Sequence, residues 1–231
     1  MILAVVASIS ISISSPCAAT AASCACNDLA PFMRSPADTS VVRAVSEMSD
    51  AQRRIALKSD DPEYRRAAVR AIASSHSEDA TTVLLVAAAD PSCDVAVAGV
   101  DLLAGIRDAR ATAVLVKAAT GGRCRVKESA VRSLRDHSGR EVVTVLLSGV
   151  TDTDPRVRSG AAESLGFHDD PRVFAPLSKA AKDSSKHVRQ AAVEALGRLG
   201  DKRGLAALLV ASKDSDKHVR LAAAEALGRI Q

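Results

Sequence analysis

The chain has 231 residues, a formal charge of +4 and a hydrophobic fraction of 47%. That fraction excludes a disordered chain, and three Phe, one Tyr and no Trp argue against the aromatic-rich core of a β-sandwich. Acids and bases are interleaved, so the dense basic face that duplex binding needs is missing and nucleic acid is not the expected partner.

Residues 1–32 hold one charged residue, Asp28. An apolar run from Met1 to Ile13 is followed by small residues, which is the pattern of a secretory signal peptide cleaved near Ala19-Thr20-Ala21. The run is too short to span a bilayer. On this reading residues 1–21 direct the protein to the periplasm or outside the cell. Ala21-Ala22-Ser23-Cys24 loosely matches a lipoprotein cleavage box, in which case a lipid on Cys24 would anchor the chain to a membrane. No Lys or Arg follows Met1, however, and a start at Met33 would leave the protein cytoplasmic. Residues 33–45 are a linker or a partial capping helix.

From there the chain repeats. Steps of 31 residues from Val157-Arg158 reach Tyr64-Arg65, Val95-Ala96, Val126-Lys127, Val188-Arg189 and Val219-Arg220. Two leucine-rich rows run in register with them, Ile72, Leu103, Leu134, Leu165, Leu196 and Leu227, then Leu84, Leu115, Leu146, Leu177 and Leu208. Periodicity of this length without gaps is the mark of a repeat architecture. Six units are expected at 46–76, 77–107, 108–138, 139–169, 170–200 and 201–231, forming one domain over 46–231.

Each unit reads as a helical hairpin, so the fold class is an all-α solenoid. In the second helix Val188, Ala192, Val193 and Leu196 share one face. Asp61-Pro62, Asp90-Pro91 and Asp154-Pro155 are start signals, and Gly166, Gly197 and Gly228 read as stops. The first helix is shorter, as in Leu205–Ala211, and Pro176 should bend it in the fifth unit. Cys93 and Cys124 occupy equivalent positions in neighbouring units. A stacking distance of about 8–10 Å exceeds the reach of a disulfide, so two separate thiols are expected.

Immediately before the Val row run Glu63, Asp94, Arg125, Arg156, His187 and His218, the last two preceded by Lys186 and Lys217. The sign changes from acidic to basic along the chain. Arg125, Arg156, Lys186, His187, Lys217 and His218 are therefore the candidate partner-binding residues, a stripe that would orient a bound protein by charge. Seven residues after the stripe stand Arg70, Asp101, Arg132, Glu163, Glu194 and Glu225, where Glu194 and Glu225 are spaced for i,i+4 ion pairs with Arg198 and Arg229. The histidines follow the repeat, a full stacking distance apart, which does not suit a metal site.

The unit Asp-x-Asp-Pro-x-Val-Arg-x-x-Ala-Ala-x-x-Leu-Gly, with local variation at 152–166, 183–197 and 214–228, resembles the short HEAT repeats of the phycobilisome-lyase type. The resemblance implies a superhelix of hairpins working as a scaffold or adaptor. It also implies a structural ladder in which Arg65, Lys127, Arg158, Arg189 and Arg220 pair with an aspartate of the preceding turn, drawn from Asp61, Asp154, Asp183, Asp214 and Asp216. No cofactor is called for, and neither a phosphate-binding loop nor a Gly-x-Ser-x-Gly or His-Glu-x-x-His motif is present. The expected function is non-enzymatic binding of a protein or peptide on the concave surface lined by second helices. The alternative is a bilin-lyase-like or other cofactor-handling subunit, which the scarcity of aromatics disfavours.

Overall fold

The structure is a computed structural model that describes residues 36–74 and 80–230. The expectations on the leader, Ala19–Ala21, Cys24, Met33 and the N-terminal part of the linker lie outside the described residues. So does the Cys124 side chain.

Among the described residues there are thirteen α-helices and no strand. Helix α1 (Pro36–Ser46) precedes six hairpins. They are α2 (Asp50–Ala56) with α3 (Pro62–Ser74), α4 (Ala80–Ala87) with α5 (Cys93–Leu103), and α6 (Ala109–Gly121) with α7 (Cys124–Ser133). The remaining three are α8 (Arg140–Gly149) with α9 (Pro155–Leu165), α10 (Phe174–Ala180) with α11 (Lys186–Leu199), and α12 (Leu205–Ala211) with α13 (Lys217–Leu227). Each second helix stacks on the next, α3 on α5 through to α11 on α13, and α1 stacks on α3 in the same way. It takes the place of a second helix ahead of the first pair, at the position expected for a linker or partial capping helix at 33–45 and running one residue past it.

The two leucine-rich rows carry the core. Leu84, Leu103, Leu115, Leu134, Leu146, Leu165, Leu177, Leu196 and Leu208 are all at most 2% exposed. Around them Ala and Val fill the gaps between helices in one continuous cluster from Val69 to Ala226. A smaller cluster of Val45, Ala56, Ala67 and Ala68 holds α1 and α2 to α3. Burial of this strip is what stabilises helices of only 7 to 14 residues, which would be marginal alone.

Two expectations about breakers need correction. Gly197 does not end a helix, because α11 continues to Leu199 and stops at Gly200, which adopts the left-handed conformation at φ 65°. Gly197 is instead a contact residue, since a Cβ there would lie 2.7 Å from Ala226 Cα on the next second helix. Pro176 does not bend α10. It falls in the first turn, where a helix has no use for its missing N–H, and the irregularity lies ahead of it in a 3-10 turn at Pro171–Val173. The same turn recurs without proline at Lys202–Gly204, so the repeat sets it.

Candidate partner-binding surface

The polar residues of the inter-helix turns have two tasks, although no side chain caps α5, α7 or α11. The second aspartate of the motif caps the second helix, as Asp154 accepts the Arg156 N–H at 2.8 Å and Asp216 that of His218 at 2.8 Å. The first aspartate folds the turn, as Asp152, Asp183 and Asp214 accept the N–H two residues on at 2.8–2.9 Å.

Those first aspartates also receive the ladder. Arg158 Nη1 donates to the carbonyls of Asp152 (2.9 Å) and Thr153 (3.1 Å) in its own turn. Its Nε and Nη2 donate to Asp183 Oδ2 (2.8 Å) and Oδ1 (2.9 Å) in the next turn. Arg189 repeats this with Asp183 and Ser184 carbonyls and the Asp214 carboxylate, and Arg65 with Ser59 and Asp60 carbonyls and the Asp90 carboxylate. Lys127 reaches Asp152 at 2.9 Å as a single donor. The pairing therefore runs forward, to an aspartate 25 residues on, and not to the preceding turn as the resemblance implied. The preceding turn offers carbonyls because its carboxylates are already used: Asp61 and Asp154 cap Glu63 and Arg156, while Asp183 and Asp214 hold the arginine of the unit before. Arg220 binds the carbonyls of Asp214 and Ser215 at 2.8 and 2.9 Å.

These rungs are half sheltered, with side chains of Arg158 and Asp183 both 15% exposed. Burial alone would raise the Asp183 carboxyl, but the hydrogen bonds from Arg158 and the Ser185 N–H outweigh it and hold it below the usual range. For Asp214 the hydrogen bond from Arg189 is itself the largest influence, with the same direction.

One rung is missing. Ala96 stands in the arginine row and Gly121 in the aspartate row. Both partners are lost together, and a cleft of about 380 Å³ lined by Ala96, Gly121, Leu85 and Val114 opens between the second and third units. Arg123 from the third unit reaches back to the carbonyls of Asp90 (2.9 Å) and Pro91, the groups that an arginine at position 96 would have bound. The turn carbonyls are thus satisfied without a carboxylate rung.

The charged stripe is largely spent within the molecule. Arg125 pairs with Asp94 at 2.9 Å, joining its basic part to its acidic part. Arg156 pairs with Asp154 at 3.1 Å and approaches Glu128 at 3.9 Å, and Lys186 lies 3.4 Å from Asp216. His187, Lys217 and His218 remain exposed. The row expected to make i,i+4 pairs does not: Arg198 donates to the Glu163 carbonyl, Glu194 accepts from Gln190, and no ion pair joins Glu225 to Arg229 among the described residues. The physical reason for Arg198 is a better partner, the ring of Phe167 at 4.3 Å. Glu163, Glu194 and Glu225, one repeat apart on the solvent side of α9, α11 and α13, are left without a cation.

His137 and His168 are 3% and 9% exposed, and Nε2 of each has no hydrogen-bond partner. His137 Nδ1 meets Thr112 Oγ1 at 2.8 Å. Burial pushes the His168 imidazole below its ordinary pKa, the Leu134 backbone opposing this. Among the described residues no three His, Cys, Asp or Glu converge as metal ligands, and no helix is long and apolar enough to cross a membrane.

The fold and its ladder define an α-solenoid in which each hairpin is tied to its neighbours. Models of HEAT repeats match residues 51–135, 117–186 and 174–231, so the chain belongs to the HEAT-repeat family. Comparison with curated proteins finds no match. Among solved structures, an engineered protein is similar at 22% identity, covering 79% of this chain and 97% of its own, with a TM-score of 0.57. A designed armadillo repeat protein in complex with the peptide (KR)4 is similar at 18% identity, 80% and 100% coverage and a TM-score of 0.58. A computationally designed armadillo repeat protein for modular peptide recognition is similar at 18% identity, 79% and 100% coverage and a TM-score of 0.55. At these identities the likeness is one of fold.

Proposed function

We propose that this HEAT-repeat chain is a non-enzymatic scaffold that binds a protein or peptide along the concave face lined by its second helices. Support comes from the row of Glu163, Glu194 and Glu225 on the solvent side of the second helices, charged groups set at one per repeat and left over once the ladder has taken its aspartates. Carboxylates kept out of ion pairs at a fixed spacing suit recognition of a chain that runs along the stack. The designed armadillo protein seen with a (KR)4 peptide illustrates that a solenoid of similar fold holds peptides. We also propose that the units are of the phycobilisome-lyase HEAT-like type, on the motif at 152–166, 183–197 and 214–228.

The test is capture of partners by the full chain, repeated with Glu163→Gln/Glu194→Gln/Glu225→Gln and with His187→Ala/His218→Ala. A specific partner should be lost on the glutamate changes at unchanged thermal stability. Retention of every partner by both variants would place binding elsewhere and sink the reading.

A further inference from the structure

Phe167 stands in the turn after α9, four residues beyond Glu163, and is 45% exposed. It is clasped by guanidiniums from the units on either side, with Arg135 Cζ 4.9 Å and Arg198 Cζ 4.3 Å from the ring centroid. A guanidinium stacked on a ring uses its π face and keeps its in-plane N–H groups for carboxylates. Here those groups are mostly available. Arg198 has one long bond to the Glu163 carbonyl at 3.4 Å, and Arg135 has the neighbouring Asp136 at 3.7 Å.

Beside Phe167 lies a cleft of about 610 Å³, lined also by Gly139, Arg140, Val143, Pro171 and His168. The start of α8 opens at its edge. In three other units an aspartate caps the corresponding helix start: Asp108, Asp170 and Asp201 each accept the N–H two residues on. One repeat from each neighbour in that row stands Gly139, so α8 has no side-chain cap. Arg140, next to it, is exposed and makes no ion pair among the described residues. The acids of the cleft do not fill the gap. Asp170 is taken by Arg172 at 2.8 Å, and Asp169 is exposed on the side of Arg203. The buried His168 Nε2, also unpartnered, borders the same space. The repeat thus lacks one carboxylate at a cleft lined by Phe167 and by Arg140, which acts on Asp170 only through space, with Arg135 and Arg198 stacked on the Phe167 ring.

We propose that this rim docks an acidic peptide segment with an aromatic or aliphatic residue. Its carboxylates would meet Arg135, Arg198, Arg140 and the bare start of α8, and its apolar side chain would lie on Phe167. Exposed aromatic and arginine anchors beside a cleft are the composition of binding hot spots. The inference rests on the reading of the chain as a partner-binding scaffold and adds to it a second contact, at the Phe167 rim, for an acidic segment rather than for the chain read by the Glu163 row.

The test is fluorescence anisotropy of the full chain with two labelled hexapeptides, Glu-Glu-Phe-Glu-Glu-Phe and its counterpart with Lys for Glu. The acidic peptide should bind more tightly and more weakly at high salt. Arg198→Ala and Phe167→Ala should each weaken it about tenfold, the effect of one hot-spot residue. Arg140→Ala removes a side chain with no internal ion pair and keeps the test independent of folding; it should weaken binding as well. Equal binding of the two peptides, no binding of either, or acidic binding indifferent to Arg140→Ala and Arg198→Ala overturns the inference. Tighter binding of the basic peptide, lost in Glu163→Gln/Glu194→Gln/Glu225→Gln, overturns it too while leaving the partner-binding reading standing.

Discussion

At the scale of residues, the ladder aspartates have more to lose than the caps. Asp214 accepts two bonds from Arg189 and one from the Asp216 N–H, whereas Asp61 accepts the backbone N–H of Glu63. Asp214→Ala should therefore cost about 2–3 kcal/mol in urea unfolding, the range for charge-assisted bonds in a half-buried site. Asp61→Ala should cost about 1 kcal/mol, the value of an N-cap. Equal costs would restore the preceding-turn pairing. A second residue-scale effect concerns pH. Burial lowers the folded-state pKa of His168 from an ordinary value of 6.5, so below about pH 6.5 the unfolded chain binds more protons and stability falls with pH until the folded value is passed. The denaturation midpoint should drop between pH 7.5 and 5.5, and His168→Gln should flatten that slope. An unchanged slope would assign it to other groups.

At the scale of elements, the missing rung between the second and third hairpins is a natural deletion of both partners. A Cβ at Gly121 would meet nothing within 4 Å, and Ala96 borders the open cleft, so there is room to rebuild the pair. In a double-mutant cycle Ala96→Arg and Gly121→Asp should show favourable coupling of about 1 kcal/mol. Ala96→Arg alone should destabilise, because it brings a charge without a partner into a position that is 1% exposed. Additive effects would mean that Arg123, already on the Asp90 and Pro91 carbonyls, excludes the rung.

At the scale of the molecule, a solenoid is stabilised by each unit and each interface in turn. Rungs join the third to fourth, fourth to fifth and fifth to sixth units in an unbroken run, whereas a single rung joins the first to the second and the helices at 36–56 rest on the smaller cluster. The part before the missing rung should therefore open first. Hydrogen exchange should be faster in α3 and α5 than in α9 and α11. Uniform protection across these helices would show that Arg123 replaces the rung in full.

The repeat and its core were readable in the residues, because burial of a helix face depends on local spacing alone and 31-residue steps bring Leu84 to Leu208 into one row. The gap at Ala96 in the arginine row was legible as well, but the matching loss at Gly121 was not, because Gly121 stands in the aspartate row only once the forward pairing is known. The direction of pairing was not, because a sequence shows that Arg158 has aspartates before and after it but not which carboxylates are already committed to backbone N–H groups. Nor was the clasp at Phe167, where Arg198 has a carboxylate four residues away yet stacks on a ring from the unit before, 4.3 Å from its centroid. Sequence determined which residues are buried; stacking of successive hairpins decided which polar groups meet, because those choices are made between chain segments that only the superhelix brings into contact.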